Sequence, residues 1–257
     1  MVNVKYCILG VEGPHDQAFV GKLLKQHRLA EFNGQRKSLD AFWEKFIPTY
    51  PRSGRLHDRL NMPSIFFSST HSIAVYQGGG SELCKNLKGR IREHDPYVKD
   101  IRAVGLILDA DKFNPQQKAT KNAKELREIY PGLVDEPGKV VAGKPRTGIY
   151  VFPDNKRRGT LDCILVDCAT VIYPDLKVGA IQFLEGVDSA RKLESRWGNF
   201  DPDKAMVATI VSVLKPGASN TSSIAQNDWI CEKTVNGVAE VALLGEFLKD
   251  LLELPES

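Results

Sequence analysis

The sequence has no CxxC pair, and its five cysteines, Cys7, Cys84, Cys163, Cys168 and Cys231, are an odd number. That argues against a disulfide framework and a zinc ribbon, and for reduced thiols in the cytoplasm. Cys163 and Cys168 lie in an apolar stretch and read as small buried hydrophobes. No apolar run approaches the roughly 18–20 residues that span a bilayer, so no membrane partner is expected. Residues 1–7 hold no basic region leading into an apolar one, so no signal peptide is expected. Walker A, GxGxxG, GxSxG and HExxH patterns are missing, and His15, His27, His57, His71 and His94 show no metal-ligand spacing. An excess of one charge is missing too. Lys plus Arg number 35 against 32 for Asp plus Glu, and the resulting +3 neither identifies nor excludes a nucleic-acid partner. No internal repeat is visible.

What remains is an ordinary globular composition: 257 residues, 42% hydrophobic and 26% charged, enough for a core without staples. Apolar runs at 4–11, 72–76, 101–108 and 148–152 read as strands. Helical patterns follow the first three, from Asp16 through Leu24, at 82–93 and at 115–130. Further helices are expected at 161–173, 187–196, 205–214 and 238–252, the last amphipathic, with a Gly/Ser/Asn loop at 216–223. Strands alternating with helices predict an α/β fold with a mainly parallel sheet covered on both faces. Residues 31–70 break that rhythm with Pro48, Pro51, Gly54 and Pro63. They read as an insertion with its own short helix at 39–46. The expected organisation is an α/β domain over 1–180 and a helical C-terminal segment over 181–257.

In a parallel sheet, ligands gather beyond the carboxyl ends of the strands. Glu12 ends the first strand, and Asp109 and Asp111 end the third. If those strands are neighbours, the three carboxylates converge. The alternate spacing of Asp109 and Asp111 points both side chains the same way on an extended chain. Converging carboxylates repel unless a cation neutralises them, and Mg²⁺ or Mn²⁺ suits such oxygen donors. A lone acid after a strand is more often a cap or a turn residue. The paired pattern, some hundred residues apart, is rarer.

The segments Ile8-Leu9-Gly10-Val11-Glu12-Gly13 and Gly105-Leu106-Ile107-Leu108-Asp109-Ala110-Asp111 resemble the two signature motifs of the Toprim fold. That fold is shared by topoisomerases, primases, M5-type ribonucleases and OLD-family nucleases. The chain further resembles the DUF3226-type, OLD-like Toprim proteins of bacteria, through Gly148-Ile149-Tyr150-Val151-Phe152-Pro153-Asp154-Asn155 and Gly159-Thr160-Leu161-Asp162. The resemblance implies a Toprim-like Rossmannoid fold, with Glu12 as metal ligand or general acid/base and Asp109 and Asp111 as Mg²⁺ ligands. It adds Asp16 as a second-rank ligand. The related block usually reads Gly-x-Leu-Glu-Asp. Here Asp162 and Cys163 stand in place of the two acids, which leaves a second metal site open. Asp154, Asn155 and Asp162 are its candidates, or else simply a turn and a helix start.

Basic residues supply the expected nucleic-acid contacts, DNA or RNA: Lys144, Arg146, Lys156, Arg157 and Arg158. Arg36, Lys37, Lys45, Arg52, Arg55, His57 and Arg59 in the insertion read as a solvated surface or a second basic face. The loop Gly78-Gly79-Gly80 is a phosphate-cradle candidate or a tight turn. His15 is the histidine nearest the acids, a proton-shuttle candidate or a helix start. The expected function is divalent-metal-dependent phosphodiester hydrolysis of nucleic acid. The alternatives are a nucleotide-binding effector, such as the partner of an ATPase, and a metal-free scaffold. The amphipathic C-terminal helix either packs on the core or makes a homodimer.

Overall fold

The computed structural model describes residues 4–49 and 61–255. Arg52, Arg55, His57 and Arg59 lie outside the described residues. In chain order the elements are β1 (Lys5–Val11), α1 (Pro14–Gln26), β2 (Ala30–Glu31), β3 (Ser64–Phe67), β4 (His71–Gln77), α2 (Leu83–Arg92), α3 (Asp95–Lys99), β5 (Ala103–Asp109), α4 (Pro115–Leu126), β6 (Val140–Val141) and β7 (Arg146–Phe152). The helices α5 (Leu161–Ile172), α6 (Pro174–Glu185), α7 (Ser189–Glu194), α8 (Asp201–Leu214), α9 (Asn220–Gln226), α10 (Glu232–Gly237) and α11 (Ala239–Leu252) follow.

The fold is mixed α/β, a seven-stranded sheet in the order β2-β3-β4-β1-β5-β7-β6. Its centre is parallel: β1 pairs with β4 and β5, and β5 with β7. These strands are apolar nearly throughout because both of their faces are buried. The short outer strands pair antiparallel, β2 on β3, β3 on β4 and β6 on β7. Alternate residues of β1 feed two cores. Cys7, Leu9 and Val11 join α1, α5, α8, α9 and α11, while Ile8 joins α2, α3 and α4. The C-terminal helices therefore share one core with the first strand. Gly105 is a consequence of that packing: a Cβ there would meet Leu251 Cδ2 at 2.5 Å.

Several elements differ from expectation. The short helix of the insertion is a single 3₁₀ turn, Ala41–Trp43, pinned by the buried Trp43 ring, whose Nε1–H donates to Ser72 Oγ at 2.8 Å. The loop at 216–223 gives way to α9 at Asn220, because the Ser219 hydroxyl caps that helix by accepting from the Ser222 N–H. The helix expected at 115–130 ends at Leu126. Among the described residues, no helix is long and apolar enough to cross a membrane.

Candidate carboxylate site

Because β1 and β5 are adjacent and parallel, with Val11 opposite Ile107, their carboxyl ends bring Glu12 and Asp109 to one edge of the sheet. A cleft of about 550 Å³ opens there, lined among others by Glu12, Asp16, Asp109 and Asp162. Asp16 arrives through the start of α1. Pro14 begins the helix, and Asp16 Oδ2 turns back to accept the Gly13 N–H at 2.8 Å. Asp109 is fixed from the other side, its Oδ1 accepting the Leu161 N–H at 2.9 Å. Asp162 follows Leu161 in the first turn of α5.

Asp111 does not share the direction of Asp109. The strand ends at Asp109, and Asp111 takes a left-handed backbone with φ 53°. Its N–H donates to Gly159 O at 2.8 Å. The extended geometry behind the alternate-spacing expectation stops one residue too early. Asp111 is joined to Glu12 instead by Lys118, whose Nζ lies 2.9 Å from Glu12 Oε1 and 3.1 Å from Asp111 Oδ2. Lys118 sits in the first turn of α4, which Asn114 caps.

Burial and mutual repulsion set the electrostatics. Burial pushes Asp16 up to about 7, assisted by the charges of Glu12, Asp162 and Asp111 against the Gly13 N–H. Burial also raises Asp109 well above the carboxylate range, with the charges of Asp16 and Glu12 adding to it. Glu12 is raised by burial, with Lys118 opposing. Burial alone would lower Lys118, but the charges of Glu12 and Asp111 and its hydrogen bonds to both leave it raised. Across the cleft, burial raises Asp162 and lowers His15, and each opposes the other's shift.

The chemistry of this donor set, carboxylate oxygens short of positive charge, fits a hard divalent cation. Its arrangement is another matter. Among the described residues, no group of three His, Cys, Asp or Glu side chains is placed to hold one ion.

The other predicted residues divide. Gly79 and Gly80 line the cleft. However, the Gly78 N–H donates to Val11 O and the Gly80 N–H to Glu12 O, so neither is offered to a phosphate. The glycines instead make a turn: Gly79 and Gly80 have φ of 79° and 64°, and a Cβ at Gly78 would lie 2.4 Å from Leu83 Cα. Arg146 begins β7, at the opposite end of the sheet from the acids, and its Nη2 donates to Asp250 O at 3.0 Å. Lys144 lies just before it, so both are remote from the cleft. Arg157 is engaged by Glu240, Asp154 and Asp167. Lys156 and Arg158 are exposed. Asp154 accepts from the Lys156 and Arg157 N–H groups, and Asn155 from the Val151 N–H, so both serve the turn after β7.

Three site residues were not foreseen: Lys118, Asp203 and Lys204. Lys204 lines the cleft from α8. Asp203 Oδ2 accepts from Cys163 Sγ at 3.2 Å, placing an acid from α8 beside that cysteine.

A family model described as "Protein of unknown function (DUF3226)" matches residues 6–253. No curated protein matches the chain. A hypothetical protein from Pyrococcus horikoshii OT3, PH0156, has a similar crystal structure, with a TM-score of 0.52 and 16% identity, covering 98% of each chain. At that identity the likeness is one of fold.

Proposed function

The chain belongs to the DUF3226 family, and from its cleft we propose that it is a Toprim-like, divalent-cation-dependent nuclease hydrolysing phosphodiester bonds of DNA or RNA. The reading rests on one observation: Glu12, Asp16 and Asp109, from two adjacent strand ends and a helix start, line one open cleft with burial-raised carboxyls. Such a set is costly to assemble for stability alone, which is why it supports a functional site. Glu12 and Asp109, which share the cleft, would hold the ion, and Asp111, now paired with Lys118, would join them only on rearrangement. Bound there, Mg²⁺ or Mn²⁺ would neutralise the carboxylates, polarise the phosphate and lower the pKa of water. Asp16, whose Oδ2 accepts the Gly13 N–H, lines the same cleft and would hold or release a proton beside the ion. Lys156 and Arg158, exposed after β7, would attract the polyanion.

The test uses purified protein with plasmid DNA and a structured RNA, in Mn²⁺, Mg²⁺ or EDTA, beside Asp109→Asn. Cleavage that needs the cation and disappears in the variant supports the reading. Cleavage unchanged in the variant overturns the residue assignment.

A second reading, a non-catalytic nucleotide-binding partner of another protein such as an ATPase, is favoured by apolar side chains in the C-terminal helices. Val178 and Phe183 of α6 and Val213 of α8 are 54%, 62% and 59% exposed. No cleavage under any condition by folded protein turns the proposal to this reading.

A further inference from the structure

Lys118 and a divalent cation have claims on the same oxygens. The ammonium lies between Glu12 Oε1 and Asp111 Oδ2 at 2.9 and 3.1 Å. Its side chain is only 15% exposed, like that of Glu12, whereas Asp111 is 42% exposed. An ammonium is a compact point charge that sits at hydrogen-bond distance from oxygen. Mg²⁺ draws its oxygens in to about 2.0–2.1 Å. The two cannot share the gap, because two positive charges within a few ångströms repel and the oxygens cannot serve both distances.

We propose that Lys118 is a built-in competitor for the cation: it fills the place between Glu12 and Asp111 and must swing out before a divalent ion is bound. This rests on the cation reading of the site above. Lys118 stands in the first turn of α4, and the 42% exposed Asp111 leaves one side of the pair open to solvent, the side toward which the ammonium would withdraw. Lys118 is thus a positioning residue that sets a threshold for cation occupancy. The same contact gives a physical reason why the acids stand paired with a lysine rather than gathered around one centre.

The experiment is Mn²⁺ titration by calorimetry, with Mn²⁺ paramagnetic resonance as a second readout, on wild type, K118M, K118Q, K118R, K204M and D109N. Removing the competitor should tighten binding in K118M and K118Q by about two- to fivefold, the equivalent of one weak ion pair. K118R keeps the charge and should bind no tighter than wild type. K204M is the control for charge alone. Lys204 lines the cleft without entering the Glu12–Asp111 pair, so its loss should change affinity less than that of Lys118. Using two neutral variants guards against one that fails to fold, and circular dichroism checks both. Equal or weaker binding by folded K118M and K118Q overturns the proposal while leaving the cation site standing. A gain in K204M equal to that in K118M also overturns it, since bulk charge then explains the effect. Loss of binding in D109N locates the ion. If neither wild type nor any variant binds Mn²⁺, the cation reading of the site falls, and this proposal falls with it.

Discussion

The backbone N–H of Leu161 donates to Oδ1 of Asp109 at 2.9 Å, across 52 positions of sequence. Thr160, the residue before α5, makes no side-chain cap, so the strand-end carboxylate does the capping from a distance. One acid thus closes the cleft and fastens the helix that carries Asp162.

Asp109 has a structural duty separable from any chemical one. Asparagine keeps an Oδ1 acceptor, whereas alanine leaves a helix N–H unpaired at about 1–2 kcal/mol. D109N should therefore be more stable than D109A by about that amount in urea unfolding at pH 8. D109N should also lose cation binding and cleavage. Equal stability of the two variants would show that the Leu161 bond contributes nothing.

The pH dependence follows from Asp16. Its folded carboxyl is raised to about 7 by burial first and by neighbouring charges second. Unfolded, it ionises near 4. Below pH 4 both states are protonated and nothing is lost. Between pH 4 and about 7 the native state keeps a proton that the unfolded chain releases, so stability falls as pH rises. Half-buried His15 and buried His71 are lowered by burial and oppose this trend, so the clean measurement is a difference. D16N should match wild type within error near pH 4. It should exceed wild type by roughly 1–3 kcal/mol at pH 8. Asparagine can still accept the Gly13 N–H. A gap that does not grow with pH defeats the prediction.

How much of this was legible in the sequence depends on whether the signal was local. The apolar strands are continuous runs because their faces are buried, so β1, β4, β5 and β7 were visible and the meeting of Glu12 with Asp109 followed from parallel pairing. The strands Ala30–Glu31 and Val140–Val141 are two residues each, too short for any periodicity. The left-handed turn at Asp111 was hidden because alternation presumes that the strand continues. Lys118 was hidden because nothing in a polar helix pattern marks the one lysine that faces a strand end. Asp203 comes to Cys163 from a helix 40 positions later, an approach that only tertiary packing makes.

Trp43 holds the insertion to the sheet. Its ring is fully buried, packs against Tyr6, Phe42, Phe46 and Tyr97, and donates to Ser72 Oγ. W43A should cost about 3–5 kcal/mol through the cavity it leaves. W43F, which loses the hydrogen bond and part of the ring, should cost less. Thermal unfolding with fluorescence of the remaining tryptophans measures both, and a cost below about 1 kcal/mol for W43A would detach the insertion from the core.

Arg146 separates basic residues that steer from those that brace. It starts β7, at the far end of the sheet from the acids, and its Nη2 donates to the Asp250 carbonyl and carboxylate on α11. Its side chain is 20% exposed, with a buried Nε that has no partner. A guanidinium so engaged offers little to a phosphate, whereas Lys156 and Arg158 are exposed beyond β7, on the cleft's end of the sheet. Removing one phosphate-binding cation should make the slope of log affinity against log salt shallower by about 0.7–0.9. The double variant K156Q/R158Q should therefore bind oligonucleotides more weakly and with a flatter salt dependence. R146M should leave that slope unchanged and reduce stability by about 0.5–1 kcal/mol, because it removes a partly exposed ion pair that holds one end of α11. Salt titrations of oligonucleotide binding by fluorescence anisotropy, run beside urea unfolding, decide between the two roles. A flattened slope in R146M with unchanged stability would move the polyanion path to the other end of the sheet.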